Sequence, residues 1–152
     1  MAQNEVNFWL CITNEKNWEV IKERNVWGVS IRHKSKMMMV KVEDLMVFYV
    51  KPLRLGGAFR VSSQPYEDFE EIFSSLGFPK NERFPYRVKL EPVLIPKSLV
   101  DLRPLIPKLQ FTTPKEKRNW GGRLFGKTMI SISPKDYEIM AHAIEHASQK
   151  IR

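Results

Sequence analysis

The pattern of the chain predicts an α+β domain: a barrel-like, mostly antiparallel sheet with helices packed outside it. Strand-like runs mostly follow one another without the long helical crossovers that a doubly wound parallel sheet requires. A continuous apolar run, Leu45 to Val50, has the length of a strand, and the best-formed helical stripe closes the chain from Pro134 onward. A length of 152 residues, 43% hydrophobic and 28% charged, matches one compact domain with an ordinary core, and no internal repeat or low-complexity tract divides it.

Asn7 to Ile12 reads as the first strand, and Thr13 or Asn14 can cap a helix running to about Arg24, with Trp18, Ile21 and Lys22 spaced along it. Asn25 ends that helix. After the Leu45 to Val50 strand, a loop containing Gly56 and Gly57 leads into a strand from Gly57 to Val61, and the two should pair as neighbours. Glu67 to Phe73 is a short amphipathic piece. Arg87 to Leu94 alternates as a half-exposed strand, with Pro92 marking an edge or a bulge. Residues 96 to 118 carry Pro96, Pro104, Pro107 and Pro114, which predicts short turns and one helical turn. The last helix has Ser133 as N-cap, Pro134 at its first position and Asp136 to complete a capping-box-like start. Tyr137, Met140, Ala141, Ile144, Ala147 and Ile151 form its apolar stripe.

Charge bears on partners. Lys and Arg outnumber Asp and Glu by 25 to 17, giving a net charge of +8, which favours polyanions, although a merely basic surface gives the same sum. The sole cysteine, Cys11, lies in an apolar run and reads as a small buried hydrophobe, which suits a reducing compartment. The start is polar and acidic, without a signal-peptide pattern, and no apolar run approaches membrane-spanning length; a soluble cytoplasmic protein is expected, with no membrane and no obligate protein partner.

The segment Asn25-Val26-Trp27-Gly28-Val29-Ser30 places a large aromatic between a helix end and the basic stretch Arg32-His33-Lys34-Ser35-Lys36. A flat π surface beside positive charge meets the two physical needs of single-stranded nucleic-acid binding: a face for a base and cations for the backbone. Asn17, Thr13 and Ser30 can each hydrogen-bond the edge of a base. The competing reading makes Trp27 a core residue and Asn17 an exposed helix position. Trp9 and Trp18, at strand and helix spacing, read as core. In Arg118-Asn119-Trp120-Gly121-Gly122-Arg123, Trp120 stands among arginines and glycines, as a solvent-facing loop aromatic would. Arg32, Lys34, Lys36, Lys117, Arg118 and Arg123 form a backbone-contacting rim if the two loops converge, and otherwise are solvated charges.

Several motifs taken together resemble a known family. They are residues 9–14 (Trp-Leu-Cys-Ile-Thr-Asn), 25–30, 47–50 (Val-Phe-Tyr-Val), 57–66 (Gly-Ala-Phe-Arg-Val-Ser-Ser-Gln-Pro-Tyr), 85–90 (Pro-Tyr-Arg-Val-Lys-Leu), and the late Phe-Gly-Lys-Thr-Met and Ile-Ser-Pro-Lys-Asp-Tyr. In order and spacing the chain resembles the EVE domain family, in particular its small stand-alone archaeal members, over about residues 7 to 150. That resemblance implies a PUA-like pseudo-barrel with flanking helices, similar to YTH domains, which read methylated adenine in RNA through an aromatic cage. It also implies that Trp27 is the cage tryptophan after the first helix, that Gly28 supplies the adjacent backbone amide, and that Asn17 and Thr13 contact the base. The chain departs from the pattern in two places. Val42-Glu43-Asp44 replaces the usual Pro-Gly-Asp turn, and the stretch Phe73 to Tyr86, where YTH domains carry a second cage Trp, has none. Phe78, Phe84 or Trp120 would have to form the second wall.

The implied function is a nucleic-acid-binding module that takes up a modified base of RNA or DNA, with no cofactor and no catalysis. The alternatives are a nucleotide or small-molecule sensor using the same pocket, and a zinc hydrolase built on His142-Ala143-Ile144-Glu145-His146. The latter fits the H-x-x-E-H pattern, but only six residues follow it and none supplies the downstream acidic ligand; His142 also lies off the apolar stripe.

Overall fold

The structure, a computed structural model, describes residues 5–74, 82–111 and 127–150, the last three as backbone alone. Its strands are β1 (Phe8–Thr13), β2 (Val26–Val29), β3 (Leu45–Val50), β4 (Arg54–Val61), β5 (Tyr66–Glu67), β6 (Tyr86–Leu94), β7 (Val100–Asp101) and β8 (Met129–Ile132). Helices α1 (Glu15–Arg24), α2 (Lys34–Met37) and α3 (Pro134–Lys150) flank them, with 3-10 turns at Ile31–His33 and Arg103–Lys108. The strands form one curled sheet in the order β2-β6-β4-β3-β1-β8, with β5 added to β6 and β7 to β4.

The sheet is mixed where a mostly antiparallel one was expected. β1 runs parallel to β3, in register from Phe8 opposite Leu45 to Thr13 opposite Val50, while the other pairs are antiparallel. A strand central to a sheet and covered on both faces reads as an unbroken apolar run, and β1 does. Its Trp9 and Cys11 face one core layer with Trp18, Trp27, Phe48 and Phe59. Leu10 and Ile12 face the other, which Tyr137, Met140 and Ile144 of α3 cover. Burial pushes the Cys11 thiol pKa well up, so Cys11 is a packing residue and a poor nucleophile.

Helix α1 follows from its caps. The Asn14 side chain accepts the Asn17 N–H at 2.8 Å, and Asn25, in the left-handed region at φ 56°, closes the other end by donating its N–H to the Ile21 carbonyl. At α3 the Ser133 hydroxyl accepts the Asp136 N–H at 3.0 Å, but the second half of the expected capping box goes elsewhere. The buried Asp136 carboxylate accepts the N–H groups of Gln110 and Phe111, tying the loop after the 3-10 turn to α3.

Gly56 and Gly57 lie inside β4, where a loop was expected. The actual turn is Lys51–Leu53, with a cis Lys51–Pro52 bond. The glycines serve packing. A Cβ on Gly56 would stand 2.7 Å from Cε2 of Trp18, so the bare backbone is the surface on which that indole rests. Gly56→Ala is expected to destabilise the fold by about 1–3 kcal/mol through overpacking. Denaturant unfolding measures it, and an unchanged midpoint would mean that Trp18 can move aside.

Glu67 to Phe73 forms no helix: after β5 the chain runs irregularly across β6. Pro92 sits at a register shift between β4 and β6, the bulge its position suggested. The 3-10 turn Arg103–Lys108 is the helical turn expected in the proline-rich stretch. Among the described residues no helix is long and apolar enough to cross a membrane.

Candidate nucleic-acid interface

Three elements meet at the C-terminal end of β1. Thr13 ends the strand, Asn17 stands in the first turn of α1, and β2 lays Trp27 and Gly28 alongside. Thr128 joins them through β8, because the Ile12 N–H donates to its carbonyl at 2.8 Å. With Ile12, Phe73 and Phe84 these residues enclose a cavity of about 10 Å³. That is room for no more than one water molecule.

Five of the expected ligand-binding residues, Thr13, Asn17, Trp27, Gly28 and Phe84, therefore line one cavity. Trp27 is both a core residue and a wall of the cavity. It is 4% exposed and meets the Phe48 ring edge-on at 5.3 Å, yet its indole Nε1 has no hydrogen-bond partner among the described residues. The same holds for Thr128 Oγ1, at 7% exposure. Such groups each cost roughly 1–3 kcal/mol when buried unpaired, and two of the residues lining this one cavity carry such an atom. Asn17 is buried. Its Oδ1 accepts the Ser74 N–H at 2.7 Å and its Nδ2 donates to the Ser74 carbonyl at 3.1 Å. Ser30 is buried at the end of β2 with its hydroxyl also unpaired, but it does not line this cavity.

Three lining residues, Ile12, Phe73 and Thr128, escaped the sequence reading. Phe73, placed in the amphipathic piece, supplies an aromatic wall. Its ring lies 6.2 Å from Phe84 at 86°, under the Arg87 guanidinium, and against Gly28, where an added Cβ would be 3.0 Å from Phe73 Cε2. Thr128 is brought in only by strand pairing. Arg87, also unforeseen, is 3% exposed and fastens the chain beside the cavity by donating to the carbonyls of Phe84, at 2.9 Å, and Glu70. Burial pulls its pKa down, against the opposing pull of Asp68, but a guanidinium so placed keeps its charge.

Arg32, Lys34 and Lys36 lie on the short turns that follow β2. Arg32 pairs with Glu82 at 2.6 Å, and Lys34 lies 5.0 Å above the Tyr86 ring. Lys36 is exposed. Burial, followed by the nearby Arg32 charge, holds His33 below the usual histidine range, so at neutral pH it adds little charge to this strip. Phe78, Lys117, Arg118, Trp120 and Arg123 lie outside the described residues. On α3, His142, Glu145 and His146 are exposed, with the two imidazoles stacked at 6.3 Å. Among the described residues no group of three or more His, Cys, Asp or Glu side chains is placed to hold a metal.

A curled sheet flanked by helices is the fold that YTH domains also adopt. The YTH domain from Zygosaccharomyces rouxii, solved in complex with N6-methyladenosine RNA, superposes with a TM-score of 0.65 over 94% of this chain and 89% of that one, at 13% identity, a likeness of fold. The chain belongs to the EVE domain family, whose model matches residues 7–143. A UPF0310 protein of Pyrococcus abyssi is 45% identical over 144 residues, 89% of this chain and 97% of that protein. Another, from Pyrococcus horikoshii, is 39% identical over 145 residues with the same coverage.

Proposed function

We propose that this domain binds single-stranded nucleic acid and takes one modified base of RNA or DNA into the cavity at the end of β1, as a binding module without catalysis of its own. The observation that carries this reading is the pair of polar groups without a partner among the described residues, Trp27 Nε1 and Thr128 Oγ1, on residues of one cavity that Phe73 and Phe84 also line. Trp27 stacks the base, and Asn17, Thr13 and Thr128 read its edge. Phe73 and Phe84 are the other aromatic surfaces available. Ser30, Gly28 and Trp120 remain part of the expected set, and Arg32, Lys34 and Lys36, with Arg118 and Arg123, are the residues proposed to hold the phosphates. The RNA-bound YTH neighbour supports the choice of ligand by analogy of fold.

Stacking on an aromatic returns about 1–3 kcal/mol per base, which offsets the few kcal/mol needed to unstack it. One buried methyl adds only about 0.8 kcal/mol, roughly fourfold in affinity, so sharper discrimination of a modified base must come from its polar edge. The test is a fluorescence titration with short single-stranded RNA and DNA carrying plain or methylated bases, at several salt concentrations. One modified oligonucleotide should bind more tightly than its plain counterpart. Lys34→Ala and Lys36→Ala should each lower the salt slope by about 0.7. Arg32→Ala should lower it less, since Glu82 already neutralises that guanidinium. Equal binding of all oligonucleotides, or none, would remove the reading, and salt-independent binding of a free nucleoside would turn it into a sensor.

A further inference from the structure

A cavity of about 10 Å³ cannot admit a base, and the chain itself fills the space. Residues Glu70–Ser74 cross the mouth of the site with the Phe73 ring wedged between Gly28, Phe84 and Arg87. Behind it, the Asn17 carboxamide is closed into a two-bond ring by one residue's main chain, accepting from Ser74 N and donating to Ser74 O. A carboxamide makes the same two-bond ring with the edge of a nucleobase that presents a donor next to an acceptor, as with an amino group beside a ring nitrogen. The Ser74 peptide and the Phe73 ring thus reproduce the edge and the face of a base.

We infer that Glu70–Ser74 is a displaceable strap that occupies the base site of the free protein, and that the ligand is a base whose edge carries an adjacent donor and acceptor able to take over the Asn17 carboxamide from Ser74. This rests on the base-binding reading. The contacts that hold the strap include the Asn17 pair, the Arg87 donation to the Glu70 carbonyl, the packing of the Phe73 ring on Phe84 and under Arg87, and ion pairs of Glu70 with Arg24 at 3.8 Å and of Glu71 with Arg83 at 2.6 Å. None of these contacts is a ladder hydrogen bond of the β1–β3 or β2–β6 pairs. Once the strap leaves, the cavity that Trp27 and Thr128 line opens, and their Nε1 and Oγ1 gain the incoming base as partner.

Three measurements decide it. Phe73→Ala removes the wedge and leaves the main chain. Because a closed strap lowers apparent affinity by the fraction of molecules that are open, this variant should bind the preferred oligonucleotide at least about fivefold more tightly. Oligonucleotides whose reading base is dimethylated on its exocyclic amine, and so lacks the donor, should bind about 5- to 150-fold more weakly than the singly methylated form. In the complex of the unaltered protein, the Ser74 amide should exchange faster with solvent and the Asn17 carboxamide resonances should shift. Phe73→Leu, an apolar filler without a ring, carries the first test if Phe73→Ala does not fold. Wild-type binding with the Asn17–Ser74 pair intact, or weaker binding by Phe73→Ala, overturns the strap and leaves base binding standing. If neither the wild type nor the variant binds any oligonucleotide, base binding itself falls and the strap with it.

Discussion

Asp44→Ala should lower the unfolding free energy by about 3–5 kcal/mol, because three N–H groups lose one acceptor at once and a donor orphaned in the interior costs roughly 1–3 kcal/mol. Asp44 is 1% exposed. Its carboxylate accepts the Asn7 N–H at 3.0 Å, the Trp9 indole Nε1–H at 3.0 Å and the Lys41 N–H at 2.9 Å. The Asn7 and Lys41 amides lie near the surface and can recover water, but the Trp9 indole, in the core beneath the sheet, cannot. Asp44→Asn keeps an acceptor at Oδ1 and turns its NH₂ toward the remaining donors, so about half of the loss is expected there. Chemical denaturation with an unchanged m-value measures both. A loss under about 1 kcal/mol for Asp44→Ala would show that all three donors find other partners. The residue matters to the site as well. It pins the beginning of β1 to the turn before β3, and the candidate cavity stands at the other end of the same two strands, so a slip at Asp44 moves Thr13 and Asn17.

That turn shows where sequence reading succeeded and where it stopped. Val42-Glu43-Asp44 was legible as a departure from the pattern the resemblance implied, yet its consequence was not: Glu43 adopts φ 81°, and Asp44 becomes the hub of a buried network. Local signals carried far. The capping residues Asn14 and Asn25 fix both ends of α1, the run Leu45 to Val50 is β3, and Ser133-Pro134 opens α3. Pairing across long separations was not encoded in any window. The parallel β1–β3 ladder joins residues on either side of α1, β2 and α2, and β8 reaches β1 from more than a hundred positions away. The glycines of β4 looked like a loop because their reason is Trp18, a residue distant in sequence.

The site divides in the same way. Thr13, Asn17, Trp27 and Gly28 became visible because a helix end, an aromatic and a basic stretch lie close together in the chain and resemble a known pattern. Thr128 lies in the Phe-Gly-Lys-Thr-Met motif and stands directly before the apolar strand Met129–Ile132, two signals that could have found it. Phe73 stands first in the stretch where a second wall was sought, but its role arises from Arg87 and the Asn17–Ser74 pair, which no local window shows.

Trp27→Ala is expected to cost about 3–5 kcal/mol of stability, the usual range for emptying a buried tryptophan site, and to abolish base binding as well. The first effect follows from 4% exposure and edge-on packing against Phe48, with Trp27 opposite Val88 in the β2–β6 ladder. Because that variant loses a core residue and a stacking surface together, its loss of binding does not separate them. Two milder variants do. Trp27→Phe keeps a ring against Phe48 and removes Nε1, at an expected cost of about 1–2 kcal/mol of stability from the smaller side chain. Trp27→Leu keeps an apolar filler and removes the π face, with the roughly 1–3 kcal/mol that stacking supplies. If Trp27 holds the base, the folded Phe variant retains most of the binding and the folded Leu variant loses about 5- to 150-fold in affinity. The indole hydrogen bond is then the difference between wild type and Phe. Equal affinity of wild type and Trp27→Leu would confine Trp27 to the core and move the stacking surface to Phe73 or Phe84. The strap variants tell these apart, since Phe73→Ala would then weaken binding where the strap requires it to strengthen.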